Sequence, residues 1–401
     1  MSDYSPLALA RELVAIPSVN PMGRAVEGPE FYEGRVTEYL QAFFTKLGLP
    51  WRRQPVAPGR DNIVARLEGR PTLADGGSLL VFEAHQDTVP VDGMTIPPWT
   101  PTVRDGRLYG RGACDIKGGM AAMLAVLARL AARPQENRPT LVMACSVNEE
   151  HGYTGATEFA RSWGVAESLV PRTPDAVVVA EPTGLDVVVA HKGAVRWRCH
   201  TLGRAGHSSQ PHLAENAFYH MAAVLQALEQ HQAQIAASGE AHRLCGRPTL
   251  SVGTIAGGLS VNTVPDRCTI EIDRRLIPGE SPAPARQQVI DFVTQTLARA
   301  RPAARVEHDP PFLIGFGLQD HANRDLAERL AGVASEFLPG RKLVGVPYGT
   351  DAAVFAGAGA PTVVFGPGDI AQAHTADEWL ALDQLEQASA ALERFALSWR
   401  S

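Results

Sequence analysis

The stretch "SLLVFEAHQD" (78–87) is a nearly continuous apolar run that stops on a histidine and an aspartate. A strand with one wet face alternates apolar and polar residues, whereas a strand covered on both faces reads as an unbroken apolar run. Two more runs have the same texture, "TLVMACSV" (140–147) and "DAVVVAE" (175–181), and a fourth, "APTVVFG" (360–366), lies near the C-terminus. Between the first two stands "GGMAAMLAVLARLAA" (118–132), whose alanines and leucines predict a helix. Strand, helix, strand in this order points to a parallel or mixed α/β sheet buried between helices. A long final helix is expected over 382–399.

The middle of the chain reads differently. "AVRWRCHTLG" (194–203), "TLSVGTIAGG" (249–258) and the alternating "RCTIEIDRR" (267–275) suit an antiparallel sheet with one open face. Helical stripes around Met221 and Val224, and around Val289 and Val293, would cover the other face. The simplest architecture is an α/β domain of residues 1–192 plus 309–401, interrupted by an inserted α+β domain at 193–308. Length agrees, because 401 residues exceed what one compact core usually holds.

Composition narrows the classes of function. A hydrophobic share of 45% with 20% charged residues is that of a globular chain. The net charge of −6, with no basic block, argues against nucleic acid or an anionic membrane as partner. No apolar run approaches the roughly 20 residues of a membrane span. "SPLALARELVAIPS" (5–18) reads as an amphipathic helix ended by Pro17 rather than a signal peptide, because Arg11 and Glu12 interrupt it. Five scattered cysteines form neither a disulfide framework nor a CxxC pair, which fits a reducing cytoplasm as the expected location.

Following each buried strand to its end locates the chemistry. The first ends in His85-Gln86-Asp87, the second in Glu149-Glu150, the third in Glu181-Pro182, and His374 follows the fourth. In open α/β sheets ligands bind beyond the carboxyl ends of the strands, so four strands deliver these groups to one rim. Asp115, in "YGRGACDIKGG" (109–119), adds a carboxylate just before the alanine-leucine helix. Histidines with oxygen ligands suit zinc, cobalt or manganese. One ion needs three or four ligands and more converge here, so two ions about 3.5–4 Å apart, with Asp115 as candidate bridge, account for the set. In the inserted domain, period two puts Glu271, Asp273 and Arg275 on the open face, where a guanidinium could clamp a substrate carboxylate.

Taken in order, "HQD", "GRGACDIKGG", "NEEHG", "AEPTG", "HKG", "GHSSQP", "GGLSVN" and "AH" resemble the dinuclear-zinc M20 metallohydrolases. That family includes acetylornithine deacetylase, succinyl-diaminopimelate desuccinylase, aminoacylase and glutamate carboxypeptidase. "EPTG", "AHKG" and "GPGDIAQAHTADEWL" look closest to the acetylornithine deacetylase branch. The resemblance implies a zinc-hydrolase-type catalytic domain with a central mixed sheet, and a ferredoxin-like insert serving as lid and dimerisation domain. It also implies two divalent metal ions, zinc first, with cobalt or manganese as alternatives.

Residue by residue, the resemblance makes His85 and Glu181 ligands of one ion, and Glu150 and His374 ligands of the other. Asp115 bridges them, with a cis peptide bond after it. Asp87 orients the His85 imidazole, and Glu149 is the general base. His207, reaching in from the partner subunit of a homodimer, stabilises the oxyanion. Asn262, Arg275, Gly349 and Thr350 match substrate-binding positions, with Arg274 a competitor for the role of Arg275. His151 matches no ligand, and Lys117 and Lys192 receive no role. The loop "GTDAAVF" (349–355) departs from the acidic "TEAPF"-like loop of enterobacterial deacetylases. The implied reaction is hydrolysis of a linear amide in a small N-acyl amino acid or short peptide. A metallo-exopeptidase is the enzyme alternative, and a small-ligand binding protein the non-enzyme one.

Overall fold

The computed structural model describes residues 4–134 and 137–399. The chain divides into two compact units, Met1–Val189 with Gln319–Gly345 and Thr350–Ser401, and Ala190–Leu318 with Val346–Gly349.

The first unit is built on an eight-stranded sheet. Its order is Trp51–Ala57, Arg60–Leu67, Thr140–Ser146, Leu79–His85, Ala176–Val179, Thr362–Val364, Val187–His191, Leu343–Val346. The four runs singled out by their apolar texture are the four middle strands. Leu79–His85 pairs in parallel with Thr140–Ser146 and with Ala176–Val179, which pairs in parallel with Thr362–Val364. Every residue of these four strands is buried, as nearly continuous apolar text predicts. Antiparallel strands flank them: Arg60–Leu67 on one side and Val187–His191 on the other.

The helix Lys117–Ala131 is buried along almost its whole length and packs against both Pro6–Val14 and Leu382–Ser398. Its alanines let the neighbouring helices approach, while fully buried leucines such as Leu124 and Leu127 each contribute roughly 1.5–3 kcal/mol. Pro6–Val14 is capped by Ser5, whose hydroxyl accepts the Ala8 N–H at 3.2 Å. No described helix is long and apolar enough to cross a membrane.

The second unit runs strand, helix, strand, strand, helix, strand. Gly193–Leu202, Thr249–Gly257, Arg267–Leu276 and Arg305–His308 form an antiparallel sheet covered by helices Ala217–Ala237 and Pro282–Ala300. This is the ferredoxin-like arrangement. Alternation in Arg267–Leu276 puts Cys268, Ile270, Ile272 and Arg274 in buried positions and leaves Glu271, Asp273 and Arg275 half-buried. A further strand, Leu313–Gly315, pairs with Gly193–Leu202 and carries the unit on to Leu318, ten residues past 308.

Candidate metal centre

Four parallel neighbours end at one edge, and the register sets His85 beside Ser146. Five of the sequence-identified groups meet there. His85 Nε2 lies 3.2 Å from Asp115 Oδ1 and 3.9 Å from Glu181 Oε1. On the other side, His374 Nε2 lies 3.3 Å from Asp115 Oδ2 and 3.4 Å from Glu150 Oε2. Asp115 thus turns one carboxylate oxygen to each histidine. His85, Asp115 and Glu150 also satisfy the spacing of a cation site among themselves. The Asp115–Ile116 peptide bond is cis.

The electrostatics of the cluster fit bound cations. Burial, followed by repulsion from neighbouring carboxylates, raises Glu149 and Glu181 well above the ordinary 4.5, and Glu150 rises for the same reasons. Burial opposes charge on His374, yet Asp115 and Glu150 overcome it and hold the ring at about 11. Oε1 of Glu150 is buried with no hydrogen-bond partner. Buried carboxylates that repel one another and leave an oxygen unsatisfied are the donor set a divalent cation neutralises.

A testable pH dependence follows for metal-stripped protein. Glutamates raised above 4.5, and histidines raised above 6.5, bind protons more tightly folded than unfolded. Their stabilisation is complete below the unfolded values and declines as pH rises toward the folded ones. The Tm of stripped protein is therefore expected to fall as pH rises above about 4.5, with the His374 contribution lost between about pH 6.5 and about pH 11, while metal-loaded protein stays flatter. Calorimetry on both forms checks this, and a flat profile for stripped protein would contradict the electrostatics.

Two supports hold the cluster. Asp87, the residue the resemblance assigns to orienting His85, meets the ring through its backbone carbonyl, 2.9 Å from Nδ1, with its Oδ1 3.7 Å away. An Nδ1–H donated to that carbonyl leaves the Nε2 lone pair facing the cluster. The Asp87 carboxylate accepts the Glu149 and Glu150 N–H groups, each at 3.2 Å.

Glu378, not foreseen, is fully buried. It accepts N–H bonds from Gly112, Cys114 and Asp115 at 3.1, 2.8 and 3.0 Å and pairs with Arg111 at 2.7 Å. One carboxylate thereby holds the loop that presents Asp115. Only the charge itself, in "TADEWL" close after His374, hinted at it.

The remaining candidates divide between the units. Thr350 is buried, and its hydroxyl accepts the Ala352 N–H at 3.1 Å. Asp351, the acid of the divergent loop, is also buried and accepts from Ser146 Oγ at 3.0 Å, so it faces the sheet rather than solvent. Gly349 belongs to the second unit, as do His207, Asn262 and Arg275. There the short strands Gly206–His207 and Thr263–Val264 pair, and the Ser208 N–H donates to the Asn262 carbonyl at 3.0 Å, which brings His207 and Asn262 together. Nδ1 of the exposed His207 lies 2.7 Å from Ser209 Oγ and 3.2 Å from the Ser209 N–H, so Ser209 holds that side of the ring. Arg275 pairs with Asp273 at 3.0 Å, while Arg274 is buried against Glu280. Lys117 Nζ donates to the Ile16 carbonyl at 2.5 Å, and Lys192 Nζ donates to the Arg247 carbonyl.

A mixed α/β sheet that gathers histidines and carboxylates at the ends of its parallel strands is the build of a metallohydrolase. The chain belongs to Peptidase family M20/M25/M40, which residues 81–398 match, and it is a hydrolase of that family. It is 30% identical to an acetylornithine deacetylase of Edwardsiella ictaluri over 388 residues, covering 94% of this chain and 93% of the relative. Among solved structures, the dipeptidase Dug1p of Saccharomyces cerevisiae superposes with a TM-score of 0.78 at 14% identity, covering 98% of this chain and 95% of its own. YXEP of Bacillus subtilis, described as a dinuclear metal binding peptidase from the M20 family, gives 0.63 at 17% identity, covering 98% and 96%. The two solved structures share the fold.

Proposed function

We propose that the protein is a deacylase of the acetylornithine deacetylase type, hydrolysing the linear amide of a small N-acyl amino acid with two divalent metal ions, zinc first. The observation that carries the reading is Asp115, whose two oxygens face two histidines on opposite sides of the cluster. His85 and Glu181 would hold one ion, Glu150 and His374 the other, with Asp115 between them. Such ions, when bound, bring the pKa of a water toward about 7 and polarise the amide carbonyl.

The chain supplies the proton transfers. Glu149 takes the proton of the attacking water and passes it to the departing amine nitrogen, serving as base and then acid. Burial raises its carboxyl above the ordinary 4.5, toward the range in which both transfers run at neutral pH. His207 donates a hydrogen bond from Nε2–H to the oxyanion. Asn262, Arg275 and the backbone amides of Gly349 and Thr350 bind the substrate.

A homodimer through the second unit would bring the partner's copy of the lid to the site. The outermost strand Thr249–Gly257 and its surroundings support this, with Ile255, Leu259, Val261 and Tyr219 exposed.

A panel of N-acetyl amino acids and dipeptides, assayed on stripped and metal-reloaded protein, tests the reading. N-acetyl substrates are expected to turn over faster, and only after reloading. Faster dipeptide turnover would make the protein an exopeptidase on the same site. Sedimentation of the same preparations as a monomer only would remove the dimer.

A further inference from the structure

Three consecutive backbone N–H groups in the turn that carries the glutamate pair end on buried carboxylates. Asn148 donates to Glu33 Oε1 at 3.2 Å, Glu149 to Asp87 Oδ1 and Glu150 to Asp87 Oδ2, both at 3.2 Å. Asn148 has a φ of 64°, in the left-handed region that non-glycine residues enter at a cost. Asn20 ties the two ends of this arrangement together. Its Nδ2 donates to Asp87 Oδ2 at 2.7 Å and to Asn148 Oδ1 at 3.0 Å, spending both hydrogens. Its Oδ1 accepts the Met22 N–H at 2.9 Å, so a flipped amide would face oxygen to two acceptors.

Arg60 closes the circuit. Its Nη1 donates to Asn148 Oδ1 at 2.8 Å, while Nε at 2.9 Å and Nη2 grip the Glu33 carboxylate. Asn20 and Glu33 are fully buried, and Arg60 nearly so. A forked guanidinium on a carboxylate, joined to an amide with both donors used, holds orientation more tightly than separate single bonds. Asn20, Glu33 and Arg60 all precede residue 81, where the family match begins.

We infer that Asn20, backed by the Glu33–Arg60 pair, is a positioning residue that clamps the turn 148–150 and so aims the Glu149 carboxylate at the reacting water. The inference rests on Glu149 acting as the base. Two neighbouring glutamates must send their carboxylates to different tasks from adjacent backbone positions, and only a fixed turn keeps them apart. A displacement of about 1 Å at such a group costs about 10²-fold in rate.

The test compares Asn20→Ala and Asn20→Ser with wild type in the full, metal-loaded chain. The readouts are kcat and KM on the best substrate of the panel, bound metal per chain, and hydrogen exchange of the segment 147–153. For Asn20→Ala, exchange should quicken at least about tenfold and kcat fall about 10- to 100-fold, with KM and metal content held within about twofold. Asn20→Ser keeps one donor and should recover part of the kcat loss; it carries the test if the alanine variant does not fold. Unchanged exchange, a kcat within about twofold of wild type, or a loss that only tracks missing metal or missing folded protein would overturn the inference. A wild-type protein inactive on the whole panel would defeat the functional reading instead, and the exchange measurement would still decide whether Asn20 clamps the turn.

Discussion

Asp115→Asn should leave the protein with no more than one tightly held metal ion and lower kcat by about 10³-fold or more, beyond the 10- to 100-fold typical of outer partners. The reason lies in the geometry of one carboxylate. Oδ1 faces His85 at 3.2 Å and Oδ2 faces His374 at 3.3 Å, so each oxygen serves a different side of the cluster. An amide of the same shape offers one acceptor and one donor group, and its N–H₂ repels a cation wherever it points. The negative charge that would lie between two dications is lost as well, so they would be less shielded from each other. Elemental analysis of dialysed protein beside wild type, with kcat on the preferred substrate, checks the expectation. Two ions per chain with a tenth of wild-type turnover would mean that Asp115 does not bridge.

The fold of the first unit was legible because its middle strands are covered on both faces, and burial on both faces writes itself as continuous apolar sequence. The rim was legible for a related reason. A polar residue cannot sit inside such a run without cost, so His85, Glu149, Glu150 and Glu181 fall where each run stops. The hairpin of Trp51–Ala57 and Arg60–Leu67 escaped notice, because an edge strand reading "WRRQPVA" is half solvent-exposed and has no apolar text to read. Glu378 escaped for another reason: its partners Gly112, Cys114 and Asp115 lie more than 260 residues away, and no local pattern signals an acceptor for backbone N–H groups. The Asn20 circuit is equally nonlocal. Asp87 shows how spacing can place a residue without fixing which of its atoms makes the contact. HxD spacing brings an aspartate beside the histidine, but backbone direction decides that the carbonyl meets the ring and the carboxylate meets the next strand's turn. His151, which matches no ligand, has its ring next to Gly23, where an added Cβ would sit 2.9 Å from Nε2.

Glu149→Gln should behave in the opposite way to Asp115→Asn. Metal content should stay at the wild-type level while kcat falls about 10²- to 10⁴-fold, the range general acid–base catalysis supplies. The substitution keeps the shape of the side chain and the backbone N–H bond to Asp87, so the turn and the Glu150 ligand position stay intact. What it removes is a group that can accept a proton and release it again. Burial and the carboxylates of Glu181, Asp351 and Glu150 push the Glu149 carboxyl upward, a cost to the folded protein that a spectator side chain would have no reason to bear. A neutral glutamine relieves that repulsion, so the variant should melt at or above the wild-type temperature even as turnover collapses. KM should change little, because the lost interaction belongs to the transition state rather than to substrate binding. Steady-state kinetics, elemental analysis and calorimetry on one preparation separate the cases. Turnover near wild type with both ions bound would place the base elsewhere, and loss of metal would make Glu149 a ligand.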